Sequence, residues 1–155
     1  MARILMVGAP CRALDLAREL RADGHAVRAT TRTEAGRQRI EAVGAECFIA
    51  DPDVVGTLRY ALENVTVLMW LFGHIDTPEL HGPRWEMMLW RTIDTTVRGI
   101  VYEAGPPGGV ALTETMATHN GIPFAVLRAS SGSWPADARQ ALALTLKPTE
   151  IQGSS

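Results

Sequence analysis

Three features are scarce in this sequence, and each scarcity excludes a class of protein. There are only two cysteines, Cys11 and Cys47, which are too few for a disulfide scaffold. The most apolar stretch, Val65–Phe72, is far shorter than the roughly 20 residues of a membrane-spanning helix, and the run Ile4–Val7 is too short for the apolar core of a signal peptide. The 15 basic residues do not exceed the 17 acidic ones. We therefore expect a cytoplasmic protein with reduced thiols that binds neither nucleic acid nor a membrane.

Short apolar stretches alternate along the chain with stretches of helical periodicity. The 155 residues suffice for one domain, which we expect to cover residues 1–146 and to be followed by a polar tail at 147–155. Six stretches are predicted strands: Ile4–Val7, Ala26–Thr31, Cys47–Ala50, Val65–Phe72, Val97–Tyr102 and Pro123–Leu127. Strands that alternate with helices form βαβ units. The predicted fold is therefore α/β: a doubly wound, six-stranded parallel sheet in a Rossmann-like three-layer α/β/α arrangement, with any ligand at the carboxyl ends of the strands.

The helices follow from apolar residues spaced three and four positions apart. Ala13, Leu16, Ala17 and Leu20 form such a stripe, and Gly24 ends it. Five further helices are predicted, two of them with the capping residues Thr33 and Asp53: Thr33–Gly44, Asp53–Asn64, Trp85–Thr95, Ala111–His119 and Asp137–Leu146.

The predicted helix Trp85–Thr95 is apolar on two sides. One stripe begins at Trp85, and Met87 and Trp90 form a second. A helix that is apolar on two sides is buried on two sides, whereas an outer helix of a doubly wound sheet normally has one face in water. We therefore expect a homodimer that buries the second face. The alternative is that the loop Gly73–Pro83 folds over these side chains.

The turn after the first predicted strand carries part of a dinucleotide-binding pattern. In that pattern one glycine makes the tight turn, a second lets the backbone approach a pyrophosphate, and a third lets the helix pack on the strand. Gly8 suits the first position and Ala13 the third, but Pro10 replaces the second glycine. The helix amino terminus still attracts an anion, and Arg12 would add a charge. Phosphate binding at this turn and a turn without a ligand both remain open.

Arg32 directly follows the second predicted strand. An acidic residue at this point would bind a ribose 2′-hydroxyl, whereas a basic residue suits a 2′-phosphate. If a dinucleotide binds, Arg32 therefore favours NADP over NAD. The alternative is that Arg32, like Arg28, Arg37 and Arg39, is a solvated charge.

Five segments share their layout with a known family: RILMVGAP, ALDLARELRADGHAVRATTR, GAECFIADPD, LENVTVLMWLFG and VRGIVYEAG. From about Arg3 to Leu127 the chain resembles the atypical branch of the short-chain dehydrogenase/reductase superfamily, which includes NADP-binding reductases, epimerase-like proteins and NADP-sensing regulators. The resemblance implies a site for each part of the cofactor: pyrophosphate at Gly8, Pro10, Cys11 and Arg12, 2′-phosphate at Thr31 and Arg32, adenine at Asp51 and Pro52, and ribose and nicotinamide at Phe72 and Gly73.

Two departures from that superfamily bear on catalysis. Its members carry a serine at the end of the fifth strand and a Tyr-x-x-x-Lys soon after it. Here the fifth strand is followed by Glu103, the only lysine is Lys147, and neither Tyr60 nor Tyr102 has a lysine four residues on. Only 28 residues follow Leu127, so we expect no counterpart of the superfamily's carboxyl-terminal substrate region.

The loop after the fourth predicted strand holds His74, Asp76, Glu79 and His81. Histidine and carboxylate side chains bind zinc, but this spacing fits no metal motif, so we expect an exposed polar loop without a metal. Because the loop borders the predicted crevice, His74 and His81 are acid/base candidates.

Two further residues have positions that invite a functional role. Glu103 stands at the carboxyl end of the fifth predicted strand, where a carboxylate is either catalytic or paired with an arginine such as Arg98 or Arg128. Cys11 stands at a predicted helix amino terminus, where it is either a reactive thiol or a small residue in a tight turn.

Two functions are compatible with these observations, and the sequence leaves enzymatic activity undecided. The first is a non-catalytic protein that binds or senses a dinucleotide such as NADP, or that acts as an interaction module; the incomplete glycine turn and the missing tyrosine–lysine pair favour it. The second is a small NADPH-dependent reductase or isomerase that uses His74, Tyr102 or Glu103, with a dimer completing its active site. Arg32 and Asp51 favour this second function.

Overall fold

Six strands lie side by side in one sheet in the computed structural model, which describes residues 2–8, 10–75, 77–128 and 133–146. The strands are β1 (Arg3–Gly8), β2 (Ala26–Thr31), β3 (Glu46–Ile49), β4 (Val67–Leu71), β5 (Gly99–Ala104) and β6 (Phe124–Arg128). All neighbouring strands are parallel, and their order across the sheet is β3-β2-β1-β4-β5-β6. The doubly wound sheet is confirmed, and its order reverses between β1 and β4.

The central strands are buried on both faces, which explains their continuous apolar sequences. Every residue of β4 is buried, and so is the apolar run Ile4–Val7 of β1. The register pairs Leu5 with Leu68 and continues to Gly8 opposite Leu71. Because all the strands are parallel, their carboxyl ends meet at one edge of the sheet.

Helices cover both faces of the sheet in the described part of the chain: α1 (Pro10–Ala22), α2 (Arg37–Ala42), α3 (Pro83–Ile93), α4 (Gly109–His119) and α5 (Trp134–Leu146). α1, α2 and α5 pack on one face through a cluster that includes Leu16 and Leu142. α3 and α4 pack on the other face through a cluster that includes Trp85. Successive strand residues alternate between the two clusters, as Met69 and Trp70 do. The three-layer α/β/α arrangement is therefore confirmed.

The helix predicted from Asp53 to Asn64 is wrong. Two short 3₁₀ turns, Val55–Leu58 and Tyr60–Leu62, occupy this segment instead. Gly56 disfavours an α-helix. The Thr57 hydroxyl donates back to a backbone carbonyl, that of Asp51 at 3.0 Å or that of Val54 at 2.7 Å, and such bonds compete with helical ones. Asn64 ends the segment with a positive φ of 62°.

Several element boundaries differ from the predicted ones. β5 begins at Gly99 rather than Val97 and ends at Ala104 rather than Tyr102, so Glu103 lies inside the strand. α5 begins at Trp134, three residues before Asp137. Thr33 makes no side-chain capping bond, and a 3₁₀ turn, Glu34–Gly36, precedes α2. The predicted tail at 147–155 lies outside the described residues.

The second apolar face of α3 lies on the surface. Met87 is 45% exposed and Trp90 is 61% exposed, so the described residues of the loop that precedes α3 do not cover them. No helix among the described residues has the length and apolar character needed to cross a membrane.

Candidate functional site

The turn between β1 and α1 depends on Gly8. Its φ of 99° lies in the left-handed region, and a Cβ at this residue would lie 2.5 Å from the carbonyl oxygen of Leu71 on β4. Both the conformation and the close approach require glycine. Pro10 is the first residue of α1, where the missing N–H costs no helical hydrogen bond. Gly8 therefore brings the start of α1 close to the point where the strand order reverses.

A cavity of about 330 Å³ opens at this edge of the sheet. Its walls come from the ends of β1, β2, β3 and β4 and from α1 and α2. Five of the residues assigned to a cofactor from the sequence line it: Gly8, Thr31, Arg32, Pro52 and Phe72. Its size lies at the lower end of the range for small-molecule sites. The topology thus places Thr31, Arg32 and Pro52, but not Asp51, of the residues predicted for adenine and the 2′-phosphate around one cavity.

Arg32 stands between two carboxylates at this cavity. Its Nε lies 3.7 Å from an oxygen of Asp51, and its Nη2 lies 3.5 Å from an oxygen of Asp53. All three side chains are about half exposed, so these ion pairs contribute little to stability. Arg39 also lines the cavity, and within the described ranges it makes no ion pair. The cavity therefore has two arginines, of which one is weakly paired.

Asp51 shapes the loop that follows β3. Its carboxylate accepts a hydrogen bond from the backbone N–H of Asp53 at 2.9 Å, and its own N–H donates to the Thr57 hydroxyl at 2.8 Å. This loop places the buried Pro52 against the cavity.

Glu103 is the centre of a buried polar cluster at the carboxyl ends of β4 and β5. Its carboxylate is fully buried and accepts three hydrogen bonds, from the Gly73 N–H at 2.8 Å, the Arg12 guanidinium at 3.0 Å and the Trp134 indole N–H at 2.7 Å. The Arg12 guanidinium also lies over the Trp134 ring, 4.5 Å from its centroid. We call these four residues the Glu103 cluster.

The expected pairing of Glu103 with an arginine is confirmed, but neither Arg98 nor Arg128 is the partner. Arg98 precedes β5, at the opposite edge of the sheet. Arg128 stands opposite Ala104, and the strand neighbour of Glu103 is the apolar Leu127. Arg12, on α1, provides the positive charge instead.

Tyr102 and His81 form a second buried pair, on the other face of the sheet. Both are buried, which corrects the expectation that His81 lies in an exposed loop. His81 Nε2 lies 2.9 Å from the carbonyl oxygen of Phe72, which can only accept. In the neutral imidazole Nε2 therefore donates, and Nδ1 accepts from the Tyr102 hydroxyl. Burial raises the pKa of Tyr102 to about 12.

The remaining candidates, His74 and Cys11, are exposed. His74 Nδ1 lies 3.4 Å from Arg12 and 3.9 Å from Glu103, so its imidazole borders the Glu103 cluster. The Cys11 thiol is free. Asp76 of the predicted polar loop lies outside the described residues, and within them no group of three metal-binding side chains occurs.

The sequence did not identify Trp134 as a member of the Glu103 cluster, and it predicted an exposed position for His81, which is buried. A signal for Trp134 was present: Pro135 favours the first turn of a helix, so it marks a helix start near residue 134. No local signal marks His81 as a partner of Tyr102, because their contact joins residues 21 positions apart.

No protein-family model and no curated protein sequence matches the chain. Its fold, however, matches many solved structures. The triphenylmethane reductase of Citrobacter sp., complexed with NADP(H), superposes with a TM-score of 0.63 at 20% identity, over 81% of this chain and 48% of that one. BdcA from E. coli superposes with 0.64 at 14% identity, over 92% and 88%. ChuY, an anaerobillin reductase from E. coli O157:H7, superposes with 0.62 at 12% identity, over 81% and 71%.

These similarities show the fold. The Rossmann-like architecture predicted from the sequence is confirmed. The chain spans about half the length of the triphenylmethane reductase that it matches.

Proposed function

We propose that this chain binds NADP(H) through the adenosine 2′-phosphate half of the cofactor and does not catalyse a reaction on it. One observation carries the proposal: a cavity of about 330 Å³, lined by both Gly8 and Arg32, lies where the strand order reverses. In doubly wound folds a dinucleotide binds at this point, with its phosphates near the first helix.

The charges at the cavity support a 2′-phosphate. Arg32 and Arg39 both line it, and the phosphate dianion would take the place of weak carboxylate contacts on Arg32. A hydrogen bond to a charged group contributes about 1.5–3 kcal/mol. One of the structural neighbours is a complex with NADP(H), which agrees with this choice.

The bonding of the proposed catalytic residues supports a non-catalytic role. Tyr102 and Glu103 are fully buried, and their polar atoms are engaged by His81 and by the Glu103 cluster. His74 is the one acid/base candidate with an exposed imidazole, and its position beside the Glu103 cluster favours the alternative of a small NADPH-dependent reductase. One exposed histidine does not replace the tyrosine–lysine pair of the superfamily that the sequence resembles.

We propose further that the protein forms a homodimer through α3 and resides in the cytoplasm. The exposed Met87 and Trp90 support the dimer, because they lie three residues apart on one face of α3 and an exposed apolar patch marks a protein contact. The free thiols of Cys11 and Cys47 fit a reducing compartment.

The experiment compares two isomeric ligands by isothermal titration calorimetry. Adenosine 2′,5′-bisphosphate and adenosine 5′-diphosphate have the same atoms, and they differ in whether the second phosphate sits on the ribose 2′-oxygen. We expect the 2′,5′-isomer to bind about tenfold more tightly or better, since one charged hydrogen bond is at stake. Arg32→Ala should remove this preference.

The matched control is Arg98→Ala. Arg98 is an exposed arginine at the opposite edge of the sheet, so its loss should leave the preference intact. The proposal is overturned if neither isomer binds at millimolar concentration, or if the Arg32→Ala variant keeps the wild-type preference.

A further inference from the structure

The two halves of the crevice differ. On the side of β2 and β3 lies the cavity. On the other side, at the carboxyl ends of β4 and β5, lies the Glu103 cluster, in which Arg12 of α1 and Trp134 of α5 meet over β5. A dinucleotide bound across a doubly wound sheet places one nucleotide in each half. The second half of this crevice therefore already holds protein side chains.

The extent of the cavity agrees with this division. Among the described residues, its walls end at Phe72 and Ile75, after β4, and none comes from β5, β6 or α5. Arg12 does not line it either, because its guanidinium is held over Trp134 and bonded to Glu103. Arg12, Glu103 and Trp134, which could otherwise reach a nicotinamide, thus contact one another instead.

Opening the Glu103 cluster would be costly. The Glu103 carboxylate is 0% exposed, and each of its hydrogen bonds comes from a donor that the protein itself supplies. Removing one partner of a buried ion pair leaves an uncompensated charge in a low-dielectric site. The reduced nicotinamide ring is neutral, and the positive charge of the oxidised ring lies on a pyridinium without a ring N–H, so neither ring replaces the hydrogen-bonded guanidinium of Arg12.

We infer that the protein recognises only the adenosine 2′-phosphate half of NADP(H) and leaves the nicotinamide in solvent; this inference rests on the proposed function. NADP⁺ and NADPH differ only in their nicotinamide ring. In the proposed complex this ring remains in solvent. The protein therefore responds to the total concentration of NADP⁺ and NADPH and is insensitive to their ratio.

The test measures three dissociation constants with the full chain by isothermal titration calorimetry. The ligands are adenosine 2′,5′-bisphosphate, NADP⁺ and NADPH. We expect the three constants to agree within fivefold. If either cofactor binds more than fivefold more tightly than the bisphosphate, or if NADP⁺ and NADPH differ by more than fivefold, the inference is wrong while the proposed function stands. If none of the three binds, both fail.

A spectroscopic measurement tests the same point without comparing affinities. The emission maximum of NADPH reports the polarity around its reduced ring. When NADPH is saturated with protein, we expect that maximum to stay at the value for free NADPH. A shift of the maximum to shorter wavelength would show that the ring is buried, and it would overturn the inference.

Discussion

At the scale of single residues, Tyr102 and Glu103 are chain neighbours with opposite surroundings. Side chains alternate across a strand, so Tyr102 points toward α3 and α4, and Glu103 points toward α1 and α5. Each is buried and each is bonded to protein groups. Tyr102 and Glu103, which are both catalytic candidates in the sequence, therefore belong to separate polar clusters on opposite faces of the sheet.

The raised pKa of Tyr102 predicts a change in stability at high pH. An unfolded tyrosine ionises near its ordinary pKa of about 10, whereas folded Tyr102 keeps its proton until about pH 12. Between these values the unfolded state binds fewer protons, so the free energy of unfolding falls as pH rises. Below pH 10 the contribution of Tyr102 is fully present.

Tyr102→Phe should reveal this contribution. At pH 8 the variant should be less stable by about 1–3 kcal/mol, because the buried Nδ1 of His81 loses its donor. The difference from wild type, measured by urea unfolding, should then narrow from pH 10 upward. Tyr60→Phe is the control, since Tyr60 is 64% exposed and within the described residues its hydroxyl makes no hydrogen bond that the variant would lose. A Tyr102→Phe difference that stays constant up to pH 12 would contradict the prediction.

At the scale of elements, α3 carries exposed apolar side chains on its outer face. Trp85 and Met88 bury its inner face, whereas Trp90 is 61% exposed and lines a shallow groove together with the exposed Tyr60. Trp90 of α3 and Tyr60 of the 3₁₀ turn therefore border the same groove.

Trp90→Glu should convert the proposed dimer into a monomer. In a twofold contact each introduced carboxylate would meet the same patch on the partner, so an apolar contact would be replaced by a desolvated charge. Light scattering after size exclusion should give about twice 16.8 kDa for wild type and about that mass for the variant. Leu144→Glu, at an exposed apolar position on α5, should remain dimeric. A monomeric wild type would refute the dimer.

The strands were predictable because their apolar runs need no tertiary context. β4 is the clearest case, since a strand buried on both faces must be apolar throughout. The segment after Asp53 was not predictable in the same way. Its apolar spacing fits a helix, but Gly56 and the hydroxyl of Thr57 favour tighter turns.

The residues that line the cavity were predictable where they lie at the ends of strands. Gly8, Thr31, Arg32, Pro52 and Phe72 end or follow strands, and a parallel sheet brings such positions to one edge. The Glu103 cluster was not predictable, because the pair Arg12–Glu103 joins residues 91 positions apart. Strand alternation fixes the face toward which Glu103 points, but it does not identify the helix that supplies the charge.

At the scale of the whole molecule, the two apolar clusters share one sheet. Trp70 and Trp85 lie in the cluster beneath α3 and α4, and Trp134 lies in the cluster beneath α1 and α5. The central strands contribute side chains to both clusters. If these strands unfold, the apolar side chains of both clusters become exposed to water.

This shared sheet predicts a single unfolding transition. Tryptophan fluorescence, which reports both clusters, and far-ultraviolet circular dichroism, which reports the helices and strands, should give the same urea midpoint. The expectation of one domain over residues 1–146 predicts the same result. Two separate midpoints, or a fluorescence change in two steps, would show that the clusters unfold independently.

The strand order also determines the stage of protein synthesis at which the crevice can form. β1, β2 and β3 leave the ribosome first, but one edge of β1 stays unpaired until β4 has been made, because Ile4 pairs with Val67. Pairing between distant segments is the slow part of folding. Gly8 meets Leu71 only at that step, so the cavity does not exist earlier. The proposed nucleotide would therefore bind only chains in which β4 has already paired with β1.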